Sequence, residues 1–196
     1  MKFSLTWAIC LLATTGFCAA EWTPFSSQRA GFKASFPTAP QESVQSIETA
    51  LGPIPYTTYM SEIENGSVAF GVAYNDYPEE VLGADPEKIL DGGRDGARDN
   101  LGGTIVSEIS LSYRGHPGRE FTILSEVQGQ RLMYHTRLFL IGTRLYQMQI
   151  VRVGETPVDL ADAIRFFSSF ESLGTSEQYP ARTATGAAFR SSSLLR

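Results

Sequence analysis

The sequence predicts an α+β fold, an antiparallel β-sheet of about six to eight strands with two helices packed on it. Three observations carry this expectation. Short runs alternating apolar and polar residues recur from Phe32 to Val153. Tight-turn signals separate them, among them Asn65-Gly66, Gln128-Gly129 and Gly142-Thr143. Only two segments combine a helix start with helical apolar spacing.

The first strand read is "FKASF" (Phe32–Phe36), which alternates and ends at Pro37. "YTTYMSEIE" (Tyr56–Glu64) and "SVAFGVAYN" (Ser67–Asn75) flank Asn65-Gly66, whose residues favour the positive φ of a hairpin turn. The next segment, "DPEKILDGGRDGARDNLGG", opens with Asp85 as N-cap and Pro86 in the first turn, and it closes on Gly102-Gly103. Ile89, Gly93, Ala97 and Leu101 recur every four residues along it. Such a stripe of partly small side chains lets a helix lie close on a sheet.

"TIVSEISLSY" (Thr104–Tyr113) places Ile105, Ser107, Ile109 and Leu111 on one face. "RGHPGREF" (Arg114–Phe121) reads as the turn that follows, with His116 solvated at its tip. Three antiparallel strands come next, Arg119–Val127, Gln130–Ile141 and Arg144–Val153. If Val127 pairs with Gln130, Glu126 sits opposite Arg131 and Glu120 opposite Arg137. Cross-strand pairs of opposite charge each contribute about 0.2–1 kcal/mol, so this register is self-consistent. The second helix, "TPVDLADAIRFFSSF", opens on a capping box from Thr156 to Asp159 and offers Leu160, Ile164 and Phe167 as its buried face.

The chain ends define its organisation. "MKFSLTWAICLLATTGFCAA" has the positive start, apolar run and small residues of a signal peptide (1–20) cleaved after Ala20. Phe17 is large where the residue before a lipidated cysteine is small, which disfavours a lipid anchor at Cys18. A single domain is expected over 21–173, followed by a disordered tail over 174–196, which is rich in Ser, Thr, Ala and Gly. Cleavage removes both cysteines and Lys2, leaving 15 basic against 21 acidic residues, a formal charge of −6. No basic stripe offers itself to nucleic acid, and no segment is apolar enough to span a membrane.

The candidate sites are few. Glu120, His135, Arg137 and Tyr146 share one sheet face in the register above, and a carboxylate beside a histidine suits acid–base work. His135 lies opposite Thr122 and Ile150, however, near Met133 and Met148, the setting of a packed core histidine. Two histidines without cysteine leave too few ligands for a transition metal. "DGGRDGARDN" lacks the residues a calcium loop needs. Tyr56, Tyr59, Tyr74 and Tyr77 fall on two adjoining strands, and tyrosine suits binding surfaces because it joins apolar area to a polar tip.

The stretches "WTPFSSQRAGFKASFPTAP", "HPGREF", "TRLYQMQIV" and "ADAIRFFSSFES" resemble small bacterial exported proteins and lipoproteins of the PsbP-like fold, named for an extrinsic subunit of photosystem II. The resemblance spans Trp22 to Leu173. It implies an antiparallel sheet with helices on its faces and carries no catalytic residue across.

The expectation is therefore an exported or periplasmic, non-catalytic module of the cell envelope, without a cofactor. It would bind a protein partner or small ligand through the tyrosine-bearing face, with Arg137 and Tyr146, or through the groove beside helix Asp85–Leu101. The alternative is a small hydrolytic or isomerising enzyme using Glu120 and His135. In a third reading, the tail docks onto an envelope assembly.

Overall fold

The computed structural model describes residues 22–49, 52–154, 156 and 158–173; the expected signal peptide and C-terminal tail lie outside them. The described elements run β1 (Thr23–Ser27), β2 (Phe32–Phe36), β3 (Gln41–Thr49), β4 (Gly52–Ile63), β5 (Val68–Asp76), α1 (Pro86–Leu101), β6 (Thr104–Tyr113), β7 (His116–Val127), β8 (Gln130–Ile141), β9 (Arg144–Val153), α2 (Leu160–Ser168) and β10 (Glu171–Ser172). Short 3₁₀ turns occupy Glu64–Gly66 and Glu79–Gly83. The fold is α+β. Its centre is a seven-stranded antiparallel sheet in the order β3-β4-β5-β9-β8-β7-β6. A three-stranded sheet, β1-β2-β10, packs with α2 on one face, and α1 lies on the other.

The β7–β9 meander has the register that the charges predict. Val127 pairs with Gln130, Glu126 with Arg131, Glu120 with Arg137, and Phe139 with Tyr146. Gln128-Gly129 turns with both φ values positive, whereas Gly142 alone is positive in the next turn, the two forms that suit right-twisted strands.

Four local expectations are corrected. The turn in "RGHPGREF" is only Arg114-Gly115, both at positive φ, and His116 already pairs with Tyr113. His116 is thus a half-buried strand residue, and burial pulls its imidazole pKa below the ordinary range. The Asn65-Gly66 connection is a four-residue loop, because the strands close at Ile63 and Val68. A bulge between Ile105 and Ser107 switches the faces of β6, so Ile105 packs toward α1 while Leu111 packs toward β1-β2-β10. Helix α2 is capped by Asp159, which accepts from the Ala161 N–H, and it buries Ala163, Phe166 and Phe167. Leu160 and Ile164 are instead 73% and 56% exposed. The opposing aromatics select this stripe: Phe166 meets Phe70 and Phe36 at ring-centroid distances of 5.3 and 5.7 Å.

Helix α1 has the bounds its caps predict. The Asp85 carboxylate accepts from the Glu87 N–H, and Gly102 closes the helix at φ 55°. Gly93 is where the helix rests on the sheet. A Cβ there would lie 3.1 Å from Leu138 Cδ1 and Leu145 Cδ2, so any larger residue would have to push these leucine side chains aside.

Candidate functional site

A helix is about 10 Å across and strands lie about 4.8 Å apart, so one helix covers about two strands. Helix α1 packs on β7 and β8. Among the described residues no helix lies over the same face of β5, β4 and β3, and a groove of about 880 Å³ runs there between α1 and the sheet. Strand β4 contributes Tyr56, Thr58 and Met60, while β9 contributes Leu145, Gln147 and Gln149. Helix α1 supplies a wall of Ile89, Gly92, Gly93, Gly96 and Ala97. A Cβ on Gly92 or Gly96 would meet nothing within 4 Å, so these glycines widen the groove. Tyr77, Val81 and Lys88 lie at the N-terminal end of α1, and Asn100 and Tyr134 at its C-terminal end.

The groove is weakly charged. Glu48 and Lys88 are its only formal charges among the described residues, and both are exposed. Burial pushes the Tyr56, Tyr77 and Tyr134 phenols up from their ordinary pKa, so they are neutral hydrogen-bond donors at physiological pH. Gln147 Nε2 donates to Gln149 Oε1 at 3.1 Å. Asn75, on β5, is 3% exposed, and its Nδ2 has no hydrogen-bond partner among the described residues. It comes close enough to Tyr77 to oppose the rise in that phenol's pKa, but without hydrogen-bonding geometry.

The structure divides the tyrosine set. Tyr56 and Tyr77 line the groove, whereas Tyr59 and Tyr74 are 3% and 7% exposed on the opposite face. Tyr59 packs against Phe25 and Phe32, and the Arg144 guanidinium covers the Tyr74 ring at 4.3 Å. Tyr146 points to that same opposite face, where its hydroxyl donates to the carbonyls of Ala30 at 2.9 Å and Gly31 at 3.0 Å. It anchors the β1–β2 connection to the central sheet, on the face that also carries Glu120, His135 and Arg137.

Glu120, His135 and Arg137 do come together. His135 Nε2 lies 2.8 Å from Glu120 Oε1, and Arg137 Nε donates to Glu120 Oε2 at 2.6 Å. The His135 ring stands edge-on to Phe167, and the Arg137 guanidinium covers the same ring at 4.4 Å. Burial raises the Glu120 carboxyl, but His135 and Arg137 outweigh it and hold the pKa below the usual carboxylate range. A depressed carboxyl pKa stabilises the fold above the unfolded value, and the contribution is lost as pH falls through the folded value. Glu120→Gln is therefore expected to cost about 1–2 kcal/mol near neutral pH, since the group is partly exposed. The loss shrinks in acid, below the ordinary glutamate range; urea midpoints measured across that range would check it.

Arg119 is the structural anchor that sequence reading misses. It is buried at the start of β7, where it ion-pairs with Asp91, with Glu87 at 2.5 Å and with Glu108 at 2.9 Å. Two of these carboxylates belong to α1, so Arg119 holds the groove wall in place. The only signal is a lone arginine at an inward position of a strand.

No protein-family model matches the sequence, and no curated protein matches it. Solved structures are similar at low identity. Cyanobacterial PsbP (CyanoP) from Synechocystis sp. PCC 6803 has 11% identity and a TM-score of 0.49, over 80% of this chain and 95% of that one. LpqN, involved in cell envelope biogenesis of Mycobacterium tuberculosis, has 13% and 0.43, over 76% and 89%. PA94, a protein of unknown function from Pseudomonas aeruginosa, has 12% and 0.37, over 72% and 87%.

Proposed function

We propose that this protein is an exported, non-catalytic binding module of the cell envelope whose small-molecule ligand occupies the groove between α1 and the bare half of the sheet. The groove itself supports the reading most directly: its volume lies in the range of ligand sites, and its lining mixes apolar side chains with a few neutral polar groups. Export rests on the signal-peptide pattern of the first 20 residues. Among the described residues, no helix is long and apolar enough to cross a membrane.

The test is binding of N-phenyl-1-naphthylamine, an uncharged dye that brightens in apolar sites, to the purified wild type and to Gly96→Leu. The leucine enters open space on the helix, where it fills the groove and replaces a poor helix former. The variant is expected to unfold no earlier than the wild type and to lose most of the dye signal. Equal signal from both would overturn the groove reading.

Acid–base catalysis at Glu120 and His135 has one observation in its favour, their 2.8 Å contact. The lowered Glu120 pKa and the engagement of its second oxygen by Arg137 make that carboxylate a weak base, and both argue for a structural role.

A further inference from the structure

The chemistry of the groove points beyond a generic apolar site. It rests on the reading just given and narrows the ligand. We infer that the ligand is an uncharged amphiphile: an elongated apolar body carrying a neutral carbonyl or hydroxyl oxygen that accepts a hydrogen bond from Asn75 Nδ2.

Two independent observations carry this. The first is charge. The walls offer side-chain amides and un-ionised phenols, while the two formal charges, Lys88 and Glu48, are exposed and of opposite sign. An ionised head group drawn inside would leave water without a charged partner, which is costly. The second is the orphaned donor. Buried amide hydrogens are nearly always paired, and an unpaired one forfeits its hydration without return. Asn75 sits 3% exposed in the groove lining with Nδ2 unpaired among the described residues. A neutral acceptor oxygen on the ligand completes it. The apolar side chains Met60, Ile89 and Leu145 then cover the rest of the molecule.

The test is competition against N-phenyl-1-naphthylamine by monolaurin, laurate and glycerol. Monolaurin and laurate share one alkyl chain and differ in head-group charge, while glycerol has the hydroxyls without the chain. Monolaurin is expected to displace the dye at least about tenfold more tightly than laurate, and glycerol not at all. In Asn75→Leu, which replaces the donor by an apolar group of similar shape, that advantage should fall to about threefold or less. Asn75→Asp, of the same shape with an oxygen in place of the donor, gives a second reading of the same contact. Laurate binding as tightly as monolaurin would overturn the inference, as would an advantage that survives both substitutions. In either case dye binding sensitive to Gly96→Leu leaves the groove standing as a site, so the two readings fail separately.

Discussion

Phe166→Ala is expected to lower the unfolding free energy by about 3–5 kcal/mol, the range found when a large core side chain is truncated and its space is not refilled. Phe166 has no exposed surface and joins α2 to both sheets. It meets Phe36 of the small sheet, Phe70 of the large one, and Trp22 at a centroid distance of 6.4 Å. Neighbouring rings fixed in two sheets cannot collapse far into the space. The groove lies across the central sheet from this cluster, so dye binding by the folded variant is expected to match the wild type. A urea midpoint shift equivalent to less than about 1 kcal/mol would show that α2 is not held by this ring.

Arg119→Met is expected to cost about 2–3 kcal/mol and to weaken dye binding as well. The methionine fills similar space but removes the one cation that Glu87, Asp91 and Glu108 share, leaving Arg94 to Asp91 and Glu108. Those carboxylates are 51%, 44% and 30% exposed, so water relieves part of the repulsion and the cost stays below that of a wholly buried charge. Arg94, which donates to Glu108 at 2.7 Å, retains part of the link between α1 and β6. Arg119→Lys should recover only part of the loss, because one ammonium cannot reproduce the guanidinium fork toward three carboxylates. Stability lost with dye affinity unchanged would mean that the ion pairs hold α1 without shaping the groove.

The contrast between these variants follows the two faces of one sheet, and so does the legibility of the sequence. Where information is local, the residues specify the structure closely. The turns at Gln128-Gly129 and Gly142 admit few backbone geometries, and with the pairs Glu126–Arg131 and Glu120–Arg137 they set the register of three strands. The caps of α1 likewise set its ends, because Asp85 and Gly102 satisfy backbone groups within a few residues. Tyrosine parity was also available: Tyr56 and Tyr59 are three apart, so a period of two sends them to opposite faces.

Three features depended on distant partners. Helix α2 offers two apolar stripes, one through Leu160 and Ile164 and one through Ala163 and Phe166. Only the aromatic surface of β2 and β5 decides between them. Strand β3 carries no alternation to read, because Gln41 to Ser46 are all exposed at the sheet edge. The groove has no local signature whatever. It exists because a seven-stranded sheet is wider than the single helix laid on one of its faces, and because Arg119 and Gly93 hold that helix over β7 and β8. The sequence by itself therefore determined the fold class, the register of the β7–β9 meander and the bounds of α1. The tertiary structure alone decided which faces are covered and where a ligand could sit, because coverage depends on the relative widths and contacts of elements far apart in the chain.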